Sequence, residues 1–292
     1  MTQSDTIRHE KVADGRIAVI QLAAPERNNV LDMEVIQALG ATVTAADRDD
    51  AVQGIVLTAD GERFCAGADL EYLESISFEE GLRFMTAYFE ALDLLRQTSK
   101  PVVAGVHGIC AEGGTELVSA CDLIVADETA RFTQPVVGVG ATAAGGGVQL
   151  LPLIVGEKRA RDLLLTGRTL DATEAKAFGL INRVVPDGKA TERAIELVEM
   201  IIENHSPQRI VRSKPSSSRG PTSDCSARRW PANSPPLCGI LRSLESARER
   251  FSRTNRSTNA RFRGSDRPRI GPSETETLSE FAHVVQSGVG HQ

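Results

Sequence analysis

Between Ile17 and Asn204 the apolar positions fall into two alternating rhythms. Short runs rich in β-branched residues read as strands: Ile17-Ala-Val-Ile-Gln-Leu22, Gly54-Ile-Val-Leu-Thr58, Val102-Val-Ala-Gly-Val106, Leu123 to Ala126 and Ile181 to Val185. Between them lie segments with helical spacing. Asp32 is placed to cap a helix carrying Met33, Ile36, Leu39 and Val43 on one face. A longer helix, from Glu79 to Gln97, keeps Leu82, Met85, Phe89 and Leu92 in step. A short helix is predicted from Thr115 to Ala120, others near 147–154 and 157–165, and a last one over 191–204. Asp171 caps a helix over 172–178, with Gly179 as its C-terminal stop. Strands alternating with helices predict an α/β architecture.

The rhythm stops after Gln208. Residues 1–208 hold 18 Lys+Arg against 32 Asp+Glu, whereas 209–272 hold 15 against 4, and fourteen of those fifteen cations are Arg. Pro215, Pro231, Pro235 and Pro236 suit no helix interior, and only Ile240 to Phe251 offers a short amphipathic pattern. The chain therefore divides into a folded domain over 1–208 and an irregular, Arg/Ser/Pro-rich tail over 209–292, expected to be poorly ordered. Three origins compete for the tail. Nucleic-acid binding is disfavoured by the lack of interleaved aromatics. A disordered regulatory extension is the second. The favoured reading is a shifted frame in a GC-rich gene, which enriches Arg, Ser, Pro, Ala and Gly.

Composition narrows the class. A hydrophobic content of 41% is enough for a sizeable core. No charged and apolar leader pattern opens the chain, and no apolar run approaches membrane-spanning length, so a soluble cytoplasmic protein without a membrane partner is expected. Cys65, Cys110, Cys121, Cys225 and Cys238 are odd in number and lack metal-ligand spacing, which reads as reduced thiols and no metal site.

Two stretches carry the candidate chemistry: Phe64-Cys-Ala-Gly-Ala-Asp-Leu70, and His107-Gly-Ile-Cys-Ala-Glu-Gly-Gly-Thr-Glu-Leu117. Each follows a strand-like run and places small residues where backbone N–H groups can face a ligand. The second opens a helix, whose first N–H groups are unpaired. Two converging N–H groups make a hole for a carbonyl oxygen that gains negative charge. Glu116 follows Gly113 by three residues, on nearly the same helical face.

These stretches belong to eight ordered motifs. The others are Pro25-Glu-Arg-Asn-Asn-Val-Leu31, Lys100-Pro-Val-Val-Ala-Gly-Val-His-Gly108, Ala120-Cys-Asp122, Ala130-Arg-Phe-Thr-Gln-Pro135, Leu165-Thr-Gly-Arg168 and Ala175-Lys-Ala-Phe-Gly-Leu-Ile-Asn-Arg-Val-Val185. Together, from about Ile17 to about Gln208, the chain resembles the crotonase family, the enoyl-CoA hydratase/isomerase superfamily. The resemblance implies a spiral of ββα units, which periodicity alone does not reveal, followed here by an irregular C-terminal region. It implies an acyl-CoA substrate, with the thioester as substrate rather than cofactor, no nucleic-acid partner, and no metal or redox cofactor. It also implies a homotrimer or hexamer built through C-terminal helices. The tail does not visibly encode those helices, so a weakened trimer is expected.

By the same resemblance, the N–H groups of Ala68 and Gly113 hold the thioester oxygen, and Glu116 is the first of two catalytic glutamates. Ala66, Gly67, Asp69, Leu70, Gly114, Val136, Val139 and Gly140 fall at substrate-binding positions. Arg27 and Asn28 fall where the family commonly has a basic residue near the CoA phosphates. The second glutamate is missing, because Gln134-Pro135 is followed by Val136. Glu112 occupies the first place of a stretch that is usually Gly-Gly-Gly, which suggests a position at the pocket rim, with Glu71 and Glu74 as more distant substitutes. The dehalogenase branch is disfavoured, since Ala141-Thr-Ala-Ala-Gly145 lacks its aspartate. His107 reads as a hydrogen-bonded structural histidine. Gly145-Gly-Gly147 lacks the Lys-Ser/Thr of a P-loop and reads as a close backbone approach under the acyl chain. The expected reaction is addition or removal of water across a 2-enoyl-CoA, a lyase reaction used in fatty-acid metabolism among other pathways. The alternatives are one-carboxylate isomerisation or related enolate chemistry, and an impaired acyl-CoA-binding protein.

Overall fold

The computed structural model describes residues 5–138 and 142–205. Within them the chain runs β1 (Ile7–Val12), β2 (Ile17–Leu22), α1 (Met33–Arg48), β3 (Gly54–Ala59), α2 (Leu70–Ser75), α3 (Phe78–Gln97), β4 (Val102–Val106), β5 (Ile109–Ala111) and α4 (Gly113–Ser119). It continues through β6 (Leu123–Asp127), β7 (Arg131–Thr133), α5 (Gly147–Val155), α6 (Glu157–Thr166), β8 (Thr169–Asp171), α7 (Ala172–Phe178), β9 (Arg183–Val185) and α8 (Ala190–Asn204). Short 3-10 turns lie at Pro25–Arg27 and Pro135–Val137. The expected tail over 209–292 lies outside the described residues.

A larger sheet has the order β1-β2-β3-β4-β6-β9, antiparallel only between β1 and β2, and a smaller one has the order β5-β7-β8. β4 and β6 enter the larger sheet. The strands that follow them, β5 and β7, pair in parallel in the smaller one. Strand, strand and helix thus repeat as β4-β5-α4 and β6-β7-α5, the ββα unit of the expected fold. The handover between sheets matters, because the candidate chemistry sits at the ends of β3 and β5.

Side-chain alternation explains why the parallel strands are apolar throughout. Ile17, Val19, Val56, Val103 and Val125 face α8 and meet Ala194, Leu197 and Val198. Ala18, Ile20, Leu22, Ile55, Leu57 and Ala104 face the main core with α1 and α3. The α1 stripe follows the predicted spacing, with Val35, Ile36, Leu39 and Val43 buried and Asp32 accepting the Val35 N–H at 2.9 Å. The α3 stripe is rotated from expectation. Leu82 and Phe89 are only half-buried, while Phe84, Met85, Tyr88, Ala91, Leu92 and Leu95 face inward. The expected spacing passed over Tyr88 for its hydroxyl and over Ala91 for its small size, yet both lie on the inner face. Among the described residues, no helix is long and apolar enough to cross a membrane.

Candidate active site

After β3 the chain makes a polar turn and then runs beside two other segments at once. On one side Cys65 N–H donates to the Ile109 carbonyl and Ala111 N–H to the Cys65 carbonyl, tying the loop to β5. On the other, Ala66 N–H donates to the Asn28 carbonyl, Leu31 N–H to the Gly67 carbonyl and Asp69 N–H to the Leu31 carbonyl. Gly67, at φ +99°, turns its N–H toward the Cys65 sulfur at 3.4 Å. These bonds leave the Ala68 N–H with no acceptor among the described residues. Gly113, the first residue of α4, likewise keeps an N–H with no acceptor there. The two stretches pack together: a Cβ on Gly67 would lie 2.7 Å from the Glu112 Cβ, and one on Gly114 would lie 2.8 Å from the Cys65 carbonyl oxygen.

Asn29 holds this loop in place, a role the sequence did not suggest. Its side chain is buried. It accepts from the Ala24 N–H at 2.9 Å and donates to the Asp60 and Arg63 carbonyls at 2.9 and 2.8 Å. Asn28, beside it, takes a left-handed conformation that closes the 3-10 turn, and its carbonyl receives Ala66. The Arg27 guanidinium is already engaged, 2.8 Å from Asp32 and 2.7 Å from Asp69. Asp69 also caps α2 through the Tyr72 N–H, and Leu70 is the half-buried first residue of that helix. Arg27 therefore faces two carboxylates, which hold its pKa above the ordinary value. His107 bonds the Gly61 carbonyl at 2.9 Å, the structural arrangement expected of it.

Glu116 lies one turn into α4 and is buried, 6% exposed. One oxygen accepts the Gly147 N–H at 2.9 Å, and the other sits 2.9 Å from the Tyr88 hydroxyl, itself 3.1 Å from the Gly113 carbonyl. Burial pushes the Glu116 carboxyl up to about 7. The Gly147, Tyr88 and Gly145 donors pull the other way, toward the ionised form. The glycines following position 144 approach this carboxylate. A Cβ on Gly145 would fall 2.2 Å from Tyr88 Cε1 and 2.3 Å from Glu116 Oε2. Tyr88, stacked on Phe84 with ring centroids 6.2 Å apart, is the main functional side chain missed in the sequence. Its signal was a tyrosine on the inward stripe of α3, where a buried hydroxyl needs a partner.

Glu112 is not at a rim. It is 8% exposed, with φ +47°, and burial followed by the Glu116 charge raises its carboxyl to about 7. Val136 is buried in the second 3-10 turn, and Gln134 just before it donates its amide N–H to the Glu112 carbonyl at 3.1 Å. Val139 and Gly140 lie outside the described residues. Cys65 is a buried free thiol whose pKa burial pushes up to about 12, so it stays protonated and inert.

The chain is similar to proteins of known family. The family model described as enoyl-CoA hydratase/isomerase matches residues 13–224. A Thermus thermophilus relative named for enoyl-CoA hydratase activity is 42% identical over 197 residues, covering 66% of this chain and 78% of its own. The short-chain-enoyl-CoA hydratase of Clostridium acetobutylicum is 33% identical over 208 residues, 71% and 79% of the two chains. The crystal structure of an enoyl-CoA hydratase from Bacillus anthracis superimposes with a TM-score of 0.70 at 27% identity, covering 96% of each chain. With its paired sheets, its ordered motifs and these matches, the chain belongs to the enoyl-CoA hydratase/isomerase family, the crotonase superfamily.

Proposed function

We propose that this chain catalyses reversible addition of water to a 2-enoyl-CoA. The thioester oxygen is held by the Ala68 and Gly113 N–H groups, and Glu116 moves the proton. One observation carries the reading. A buried carboxylate, fixed through both oxygens and raised to about 7, lies within one helical turn of a backbone N–H that has no acceptor among the described residues. Such a group is ionised and protonated in comparable amounts at neutral pH, which suits general acid–base work worth about 10²–10⁴ in rate. Each oxyanion donor contributes about 2.7–4 kcal/mol as the thioester becomes an enolate. The Ala66–Leu70 loop and Gly114 border the thioester, with Val136 toward the acyl group.

Val136 favours a second reading. With valine where the second glutamate is usual, Glu116 alone carries a double bond from the 3- to the 2-position, removing and returning one proton. Crotonyl-CoA and a 3-enoyl-CoA incubated in D₂O and followed by proton NMR separate the two. Hydration of crotonyl-CoA, abolished in Glu116→Gln, is the expected result. Migration or exchange without hydration establishes the second reading. Tight acyl-CoA binding without either reaction overturns both.

A further inference from the structure

Glu112 joins β5 to α4, and its backbone is fixed at three points. Its N–H donates to the Thr133 carbonyl at 3.0 Å, and its carbonyl accepts the Glu116 N–H and the Gln134 amide, both at 3.1 Å. These bonds hold it at φ +47° and ψ −114°, a conformation glycine adopts without strain and glutamate does not. The side chain is directed against the Ala68 loop: Oε2 would be 3.0 Å from a Cβ on Gly67. Its other oxygen, Oε1, is buried with no hydrogen-bond partner among the described residues, and so is Gln134 Oε1. A buried carboxyl oxygen that receives no donor is better held in the neutral, protonated form. An ionised Glu112 would instead be a buried charge without a partner, costly in itself and repelled by a negative charge on a nearby thioester oxygen.

Glu112 and Glu116 stand one helical turn apart with opposite surroundings. Glu116 receives the Gly147 N–H and the Tyr88 hydroxyl, whereas Glu112 receives nothing on Oε1. Unequal hydrogen bonding favours the charged form of Glu116 and the neutral form of Glu112. We propose that Glu112 is the acid of this site. Glu116 is the charged base and Glu112 the neutral partner, and Glu112 thereby fills the role that Val136 cannot.

This rests on the hydratase reading. In the forward direction the oxygen of water bonds to the β-carbon as one of its protons passes to Glu116. The Glu112 proton passes to the α-carbon as the thioester enolate collapses. The chain is left with Glu116 neutral and Glu112 ionised, and loss of a proton from Glu116 to water with uptake of one from water by Glu112 restores the start.

The test uses the full chain with ¹³C-labelled glutamate carboxyls, read by NMR across pH, beside Glu112→Gln, Glu112→Gly and Glu116→Gln. The titratable groups facing the pair are Tyr88 from α3 and Cys65 after β3, both held protonated by burial. The expected result is a carboxyl assigned to Glu112 that titrates well above the ordinary carboxylate range and above that of Glu116. In Glu112→Gln, hydration of crotonyl-CoA should fall at least about 100-fold in kcat with little change in KM, and the alkaline limb of its pH profile should disappear. Glu112→Gly, which relieves the backbone, should lose the same activity while staying folded by circular dichroism. A Glu112 carboxyl that titrates in the ordinary range or below Glu116, or a glutamine variant that keeps wild-type hydration, overturns the proposal. Absence of hydration by the wild-type chain counts against the hydratase reading, and the carboxyl titration still decides whether Glu112 holds its proton above Glu116.

Discussion

Replacing Tyr88 by Phe removes one hydroxyl from a buried stack and leaves the packing volume almost unchanged. That hydroxyl lies 2.9 Å from Glu116 Oε2 and pulls the carboxyl toward its ionised form. A hydrogen bond to a charged group is worth about 1.5–3 kcal/mol, and at 1.36 kcal/mol per pH unit its loss raises the Glu116 titration by about 1–2 pH units. Starting from about 7, the ionised fraction at pH 7 falls from near one half to between about one tenth and one hundredth. Hydration of crotonyl-CoA, followed by loss of the conjugated thioester absorbance, should therefore slow about 5- to 50-fold at pH 7. The acid limb of the profile should be displaced upward by the same amount, which narrows the pH window for hydration. A loss of equal size at every pH would refute the reasoning, because it would assign Tyr88 a packing role rather than a hold on the Glu116 charge.

Other outcomes follow from the same geometry. Gly145→Ala puts a methyl 2.2 Å from Tyr88 and 2.3 Å from Glu116, so it should cost about 1–3 kcal/mol in a denaturant melt and most of the hydration rate. Asn29→Ala strips a buried brace of three hydrogen bonds and should cost about 2–4 kcal/mol, with a fall in kcat as the Ala68 loop loses its anchor. The Glu112 carboxyl titrates higher in the fold than in the unfolded chain, so its contribution is fully present below the ordinary carboxylate range and lost as pH rises through about 7. From 4.5 to about 7 the loss approaches about 3 kcal/mol. Denaturant melts at pH 5 and pH 8 should therefore show the wild type losing stability relative to Glu112→Gln. A relative gain would count against a raised Glu112.

The order of elements from Ile17 onward was legible because long apolar periods announce themselves: Val35, Ile36, Leu39 and Val43 in α1, or the β-branched runs of the larger sheet. The three-residue strands β5, β7 and β8 are too short to show a period, and β1 buries only Ile7 fully, as an edge strand can. The candidate site was half legible. Ala68, Gly113 and Glu116 lie inside recognisable motifs, and neither backbone N–H group has an acceptor among the described residues. What escaped were long-range partnerships. Tyr88 meets Glu116 across 28 positions, Asn29 braces carbonyls more than thirty residues away, and Gly147 reaches Glu116 across 31. Nothing in a single sequence marks the positive φ of Glu112, so it was taken for a rim residue when the fold closes over it.

Arg27 joins two helix starts with one guanidinium. Asp32 caps α1 with one oxygen and meets Arg27 with the other, and Asp69 does the same for α2. An anionic ligand can use this cation only by competing with a carboxylate that also pins a helix, so occupancy and loop position are thermodynamically linked. Whatever draws Arg27 away loosens Asp69, the residue next to the Ala68 N–H, and a shift of that loop changes the hold on Arg27 by the same free energy. The clamp is therefore a latch set beside the Ala68 loop, and added salt, which screens exposed ion pairs, should loosen it before it disturbs the core.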